Sequence, residues 1–447
     1  MKNVHRFLIA AMAWLIMPAL HAQQLKGHIH DTASTGGMLK LYQARGASFT
    51  LVDSTHIGPS GDFNFHDRFN ATGFYQLALS DTDQVNLILD AREPLVDLRF
   101  VGRPLADHVR VQASDENKRL WELQYVTKET QAVKAAVAEQ KSRLLPTDTL
   151  ELDALDRVEQ RAIHTQEQYL EELAVQAPTS FFAKALRVDQ AVQGARGGGP
   201  MAVAAACDFS DPELLRSTVY DKAVMAFMQN LNAVSEVQFA NAADTLMQLA
   251  SGDTACKAYM LEHLIDLFAT YGPESALQHM IDRYVAPYGG STAVSATVRQ
   301  KVDALLHVSV GRTAPDVELN DHGTKFQLSQ LVKANTYTAV FFYSSTCEHC
   351  HAQMPGLKAD RSTYQKRGFD VIGIALDVDS TDFLRSIREN AIPWRCYSEF
   401  NGWGSKAAQA FQVKATPALF LLDRAMKIVA KPTDAQELRQ ILKELYD

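Results

Sequence analysis

The chain has 447 residues, more than one compact core accommodates, so roughly two to four domains are expected. Its apolar share of 47%, charged share of 21% and net charge of −8 describe an ordinary soluble protein with a mild acidic excess. That balance argues against nucleic acid or anionic lipid as the main partner.

Residues 1–22 read as a secretory signal peptide. Lys2 and Arg6 make a basic start, Phe7 to Leu20 is almost wholly apolar, and His21-Ala22 leads into polar Gln23-Gln24. The apolar run is too short for an ordinary spanning helix, so cleavage after Ala22 is expected, with an uncleaved membrane anchor as the other reading. No cysteine lies nearby, so a lipid-anchored mature terminus is not expected. The cysteines are Cys207, Cys256, Cys347, Cys350 and Cys396. They are too few for a disulfide scaffold, and an odd number in an exported chain leaves at least one thiol unpaired.

Residues 23–113 are expected to form a small β-sandwich-like domain. Short apolar or alternating runs recur at Leu39–Tyr42, Phe49–Val52, Phe63–Phe65, Phe74–Leu79, Val85–Leu89 and Leu95–Val101. Turn residues such as Gly58-Pro59-Ser60-Gly61 separate them. His28 and His30 alternate along one strand face. Without a third ligand they read as surface residues rather than a metal site.

Residues 114–306 are expected to be α-helical. The stretch 117–177 is rich in Glu, Gln, Lys, Ala and Leu, and Pro146 and Pro178 punctuate it, which predicts a helical hairpin. Pro178-Thr179-Ser180 opens a further helix. The glycine-rich run Gly194–Pro200 lacks the Gly-Lys-Ser/Thr ending and the preceding strand of a phosphate loop, so it reads as a plain loop. Beyond it, Val224, Phe227 and Leu231, and then Met260, Leu264, Ile265 and Phe268, form apolar stripes of the kind that build a core. Cys207 and Cys256 fall here, and a disulfide between them depends on a Cα approach that sequence does not show.

Residues 307–447 alternate between strand-like and helix-like segments, which predicts an α/β sheet covered by helices. Apolar strands are expected at Thr338–Tyr343 and Phe369–Leu376, helices over 348–366 and 380–390, a hairpin at Ala418–Leu422 and Lys427–Ala430, and a last helix over 433–446. The whole chain is thus multidomain: all-β, then α-helical, then α/β.

The chemistry concentrates in Ser345-Thr346-Cys347-Glu348-His349-Cys350, at the end of a strand and the start of a helix. A helix N-terminus offers unpaired N–H groups and partial positive charge, which stabilise a thiolate. The thiolate is the nucleophile, so this placement activates Cys347. The two-residue spacer lets Cys350 attack Cys347 in a mixed disulfide. Zinc sites share the Cys-x-x-Cys pattern but need further ligands, and there is no second pair here. Redox chemistry is therefore favoured, with no metal and no cofactor. Ala415-Thr416-Pro417-Ala418 opens another apolar strand. A cis Thr416-Pro417 bond, which costs little only at X-Pro, would leave backbone groups near the thiols free for an extended substrate; an ordinary trans proline is the other reading.

At these residues the chain resembles the TlpA/ResA-like thiol–disulfide oxidoreductases of the thioredoxin superfamily, near the AhpC/TSA group. The resemblance covers about residues 310–447. It rests on Gly311-Arg312-Thr313-Ala314-Pro315-Asp316, on Phe341 through Cys350, on Met354-Pro355, on Gly373-Ile374-Ala375-Leu376-Asp377, and on Ala415-Thr416-Pro417 leading to Phe420-Leu421-Leu422-Asp423. It implies a thioredoxin-like fold, Cys347 as attacking thiol, Cys350 as resolving thiol, and Pro417 as a cis-proline that, with Thr416, binds substrate. The β-then-helical order of the first 300 residues resembles the N-terminal part of large Bacteroidetes-type members.

Two departures stand out. Phe341 occupies the place of thioredoxin's buried Asp, and Gln353 the place of a Glu common in TlpA-like chains. Neither can act as a base toward Cys350. Between the thiols, a protonated His349 would stabilise the Cys347 thiolate and Glu348 would oppose it, so both tune the redox poise and the direction of electron flow stays open. Cys396 reads as a buried inert thiol.

The expected function is periplasmic reduction of disulfides in exported client proteins, with electrons from a membrane-bound thiol donor. Competing readings are a disulfide oxidase or isomerase, a client-binding redox chaperone using residues 23–305, and a thiol peroxidase. The last is weakened by Val340 in place of the proline of peroxidatic motifs. Homodimerisation through the first 300 residues is left open.

Overall fold

The computed structural model describes residues 23–31, 34–65, 69, 71–231, 235–288, 294–321 and 324–447. The signal segment read over residues 1–22 lies outside the described residues. The chain divides into two compact units that meet in sequence at Asn230 and Leu231. The helical region 114–306 is therefore shared between them, six helices falling in the first unit and four in the second.

In the first unit, eight strands form two four-stranded sheets. They are β1 (Gln24–Ile29), β2 (Met38–Arg45), β3 (Ser48–His56), β4 (Asp62–Phe65), β5 (Gly73–Ser80), β6 (Asp83–Leu89), β7 (Leu95–Phe100) and β8 (Val109–Ala113). The sheets run β4-β1-β7-β8 and β3-β2-β5-β6. The period-2 pattern decides which side chains face inward: Leu25, Leu41, Leu77, Leu87 and Leu98 are all fully buried in one core. His28 lies on β1 with Nδ1 2.9 Å from Asp62 Oδ1, and its ring centroid is 5.8 Å from that of His30. Among the described residues no group of three metal-ligating side chains gathers.

Helices α1 (Asp115–Lys141) and α2 (Thr149–Gln176) form the expected hairpin. They run in opposite directions: the Tyr169 hydroxyl reaches Arg119 O, the Thr130 hydroxyl Ala162 O, and Lys141 the Glu159 carboxylate. Buried Asn117 ties α1 to β6. Its Oδ1 accepts from Ile88 N at 2.8 Å and its Nδ2 donates to Ile88 O at 2.7 Å. Buried Glu116 accepts from the Ser180 hydroxyl and from the backbone N–H groups of Phe181 and Phe182, the start of α3 (Phe181–Gly194). Helices α4 (Pro200–Ala206), α5 (Pro212–Leu215) and α6 (Val219–Gln229) complete the unit. The glycine-rich run is the connection between α3 and α4, where Gly197 N donates to Asn230 Oδ1.

The second unit begins with α7 (Glu236–Leu249), α8 (Thr254–Tyr271), α9 (Glu274–Tyr284) and α10 (Ala296–Leu306). Met260, Leu264 and Ile265 of α8 are fully buried, as their stripe predicts. Cys207, just after α4, and Cys256, in the first turn of α8, are both buried and fall one in each unit. A short hairpin, β9 (Glu318–Asp321) with β10 (Thr324–Gln327), and α11 (Leu328–Val332) precede a five-stranded sheet. Its order is β13 (Arg395–Ser398), β12 (Phe369–Ala375), β11 (Tyr337–Tyr343), β14 (Ala418–Asp423), β15 (Ile428–Ala430). β11 is parallel to β12 and antiparallel to β14. Helices α12 (Glu348–Tyr364), α13 (Ser380–Glu389), α14 (Lys406–Ala410) and α15 (Ala435–Tyr446) cover it.

β11 is buried from Thr338 to Tyr343, which is why it reads as a continuous apolar run rather than an alternation. Val340 and Phe342 face a core with Phe411 and Phe420. Phe341 and Tyr343 face the other core, with Cys350, Leu357 and Leu438. No described helix is long and apolar enough to cross a membrane.

Candidate active site

β11 ends at Tyr343, and four residues later Cys347 occupies the N-cap of α12. Its Sγ takes the capping role usually given to a Ser or Asp oxygen, accepting from Cys350 N at 3.2 Å. Sulfur at that position faces the unpaired N–H groups and the positive end of the helix, so a thiolate formed there is stabilised. Cys347 and Cys350 are joined as a disulfide with Cα atoms 5.2 Å apart. Cys347 is half-buried and Cys350 fully buried, so an incoming reagent meets Cys347 first. Glu348 and His349 are exposed on the first turn of α12. The Thr416–Pro417 peptide is cis, and Thr416 O lies 3.6 Å from Cys347 Sγ. The structure thus gathers Cys347, Cys350, Thr416 and Pro417 at one end of the sheet.

The two departures noted in the sequence have structural uses. Phe341 stacks on Tyr343 with ring centroids 5.3 Å apart, so the place of an acid is filled by aromatic core. Gln353 Oε1 accepts from Ala435 N at 2.8 Å, in the first turn of α15. With Arg439 Nε on Asp360 Oδ1 at 2.6 Å, it clamps the thiol-bearing helix to α15. Pro355 sits inside α12, where it removes one helical hydrogen bond.

Several residues around the thiols were not singled out by the motif. Asp377, just past β12, is 3% exposed, and its Oδ1 accepts from Ser345 N, Ser344 Oγ and Ser345 Oγ. Its Oδ2 has no protein donor. On β13, Cys396 pairs in register with Gly373, where an added Cβ would stand 2.8 Å from Cys396 Sγ, 3.1 Å from the Tyr343 ring and 3.3 Å from Trp394 Nε1. Burial pushes the Cys396 thiol up to about 11, which fits an inert thiol. Burial likewise pushes the Tyr343 phenol up, with Cys396 and Asp377 adding to it. In the sequence Asp377 shows only as the acid that ends the Gly373–Asp377 segment of the family resemblance, with no role attached to it.

An exposed apolar rim adjoins this loop. Val378, Phe400 and Trp403 are 74%, 42% and 56% exposed. Gly402 N donates to Asp377 O at 3.5 Å, and the Phe400 ring packs edge-on to Phe383 at 5.6 Å. The rim is therefore continuous with the segment that carries Asp377.

Residues 310–431 match the AhpC/TSA family. No curated protein matches the chain. Among solved structures, a thiol-disulfide oxidoreductase from Bacteroides fragilis is 29% identical, with 30% of this chain and 99% of that one covered and a TM-score of 0.29. A thiol:disulfide interchange protein from Bacteroides sp. is 22% identical over 31% of this chain and 90% of that one, with a TM-score of 0.28. A thioredoxin-like protein from Bacteroides caccae is 17% identical over 56% of this chain and 94% of that one, with a TM-score of 0.39.

Proposed function

We propose, since residues 310–431 match the AhpC/TSA family, that the protein is an exported thiol–disulfide oxidoreductase of the TlpA-like kind that reduces disulfides of client proteins in the periplasm. The observation that carries this reading is the half-buried Cys347 sulfur capping α12 with Cys350 buried behind it. The Cys347 thiolate attacks one sulfur of a client disulfide, forming a mixed disulfide and releasing the other client sulfur as a thiolate that takes up a proton. Cys350 then attacks Cys347 Sγ, re-forming the internal disulfide and releasing the second client thiol. Two electrons and two protons pass from the protein to the client. A membrane-bound thiol donor returns the protein to the dithiol by the reverse exchange.

A polypeptide client suits the apolar rim of Val378, Phe400 and Trp403 beside the site, because exposed clustered apolar groups mark interaction surfaces. Thr416 and Pro417 offer backbone groups to an extended segment of the same client.

Cys347→Ser is expected to abolish reduction of insulin disulfides by the full chain; undiminished activity overturns the reading. The direction of flow is read from the potential of the Cys347–Cys350 couple. A value near thioredoxin's, roughly −270 mV, supports a reductase, and a value near roughly −120 mV makes the protein a disulfide donor instead.

A further inference from the structure

We infer that Asp377 is a positioning residue of the Cys347–Cys350 couple, holding the nucleophile's loop with one oxygen and making the couple more reducing through its charge. The inference rests on the thiol–disulfide reading above.

Asp377 lies where β12 gives out, one residue past the Leu376 N to Tyr343 O bond of 2.8 Å that ends its ladder with β11. Three donors converge on its Oδ1: Ser345 N at 2.8 Å, Ser345 Oγ at 2.9 Å and Ser344 Oγ at 3.0 Å. Hydrogen bonds donated to a carboxyl oxygen favour the ionised form of the group. Ser344 O in turn accepts from Cys347 N at 3.2 Å, so two hydrogen bonds link the carboxylate to the nucleophile's backbone. All the donors to Asp377 are neutral, its other oxygen is buried without a protein donor, and the residue is 3% exposed. Its negative charge is therefore neither paired nor well solvated.

Such a charge acts at a distance. Ser345 N is 2.8 Å from the carboxylate, two residues of chain span at most about 7 Å, and the Cys347 side chain adds a few more, so the carboxylate stands within roughly 13 Å of the thiol. That is within about one and a half Debye lengths at ordinary salt, and burial weakens the screening. The disulfide is uncharged, so Asp377 leaves its energy unchanged. The thiolate of the reduced protein is negative, so Asp377 opposes it, against the pull of the helix N-terminus. In each exchange the dithiol gives two electrons and two protons to the client disulfide. Asp377 takes part in neither transfer; it raises the free energy of the thiolate form and so strengthens the drive to give the electrons away.

If Asp377 served only as a peg for the serines, asparagine would serve as well, since it keeps an acceptor oxygen and drops the charge. Asp377→Asn in the full chain, equilibrated with reduced and oxidised glutathione at pH 7, is expected to shift the equilibrium toward the reduced protein by roughly tenfold, which is about 30 mV for a two-electron couple. The reduced variant is also expected to react faster with iodoacetamide at Cys347. An unchanged equilibrium, or a shift the other way, overturns the inference. The double variant Ser344→Ala with Ser345→Ala keeps the charge and removes two donors. It is expected to lose thermal stability with no shift toward the oxidising side; such a shift means loop geometry rather than charge sets the potential, and also overturns the inference. If the unmodified protein fails to exchange with glutathione at all, the thiol–disulfide reading fails, which is a separate outcome.

Discussion

In the first unit, Asn117 and Glu116 are as buried as the leucines around them, yet every polar atom of their side chains is used, locking α1 to β6 and to the start of α3. In the thioredoxin-like sheet, the Tyr343 hydroxyl, Trp394 Nε1, His351 Nε2 and Asp377 Oδ2 are buried without a protein partner, in or next to the segment that carries the thiols. An unsatisfied buried polar group costs about 1–3 kcal/mol, so a fold keeps several together only where something other than stability is served. In the first region Asn117 and Glu116 hold elements together, and the buried groups left without a partner are those of Gln23 and Trp121. The second holds several in reserve in and beside the core that buries Cys350.

That contrast can be broken at several points. The largest effect belongs to Cys347→Ser, where loss of disulfide reduction with an unchanged fold would show that the reserve serves chemistry. Next comes Asn117→Ala, which strands Ile88 N and Ile88 O inside the first unit. It is expected to lower unfolding stability by roughly 2–4 kcal/mol in denaturant titration, with disulfide exchange at Cys347 untouched. Gly373→Ala drives a methyl into Cys396, Tyr343 and Trp394. Overpacking of this kind costs roughly 1–3 kcal/mol, and a melting temperature equal to that of the unmodified protein would mean this side of the site is loosely packed after all. The smallest effect is chemical. With its thiol pushed up to about 11, Cys396 is ionised to about one part in a thousand at pH 8. A raised value means reactivity appears only as pH climbs toward it, so mass spectrometry of the reduced folded protein alkylated at pH 8 should find Cys347 modified and Cys396 intact.

Much of this was legible in the sequence, for reasons that differ by element. β11 announces itself because it is buried on both faces, and α12 because the Cys-x-x-Cys pair opens it. The α1–α2 hairpin follows from composition and from the prolines that bound it. β8 escaped notice because Val109–Ala113 is short, and its alternating valines lie only half-buried at a sheet edge. The β9–β10 hairpin is polar along most of its length. Gln353 was visible as a departure, but its partner Ala435 lies 82 residues on, and no local pattern announces a cap made from another helix. Asp377 is 32 residues from the serine amide it holds, and only tertiary structure brings the strand end and the loop together.

The capping sulfur has one more consequence. Ordinary helix caps are chemically constant, whereas the atom accepting the Cys350 amide proton gains a full negative charge whenever the disulfide opens to a Cys347 thiolate. A neutral sulfur is a weak acceptor and a charged one a strong acceptor. The first turn of α12 is therefore gripped more tightly in the reduced protein than in the oxidised one, and the amide resonance of Cys350 becomes an internal gauge of the oxidation state of the molecule.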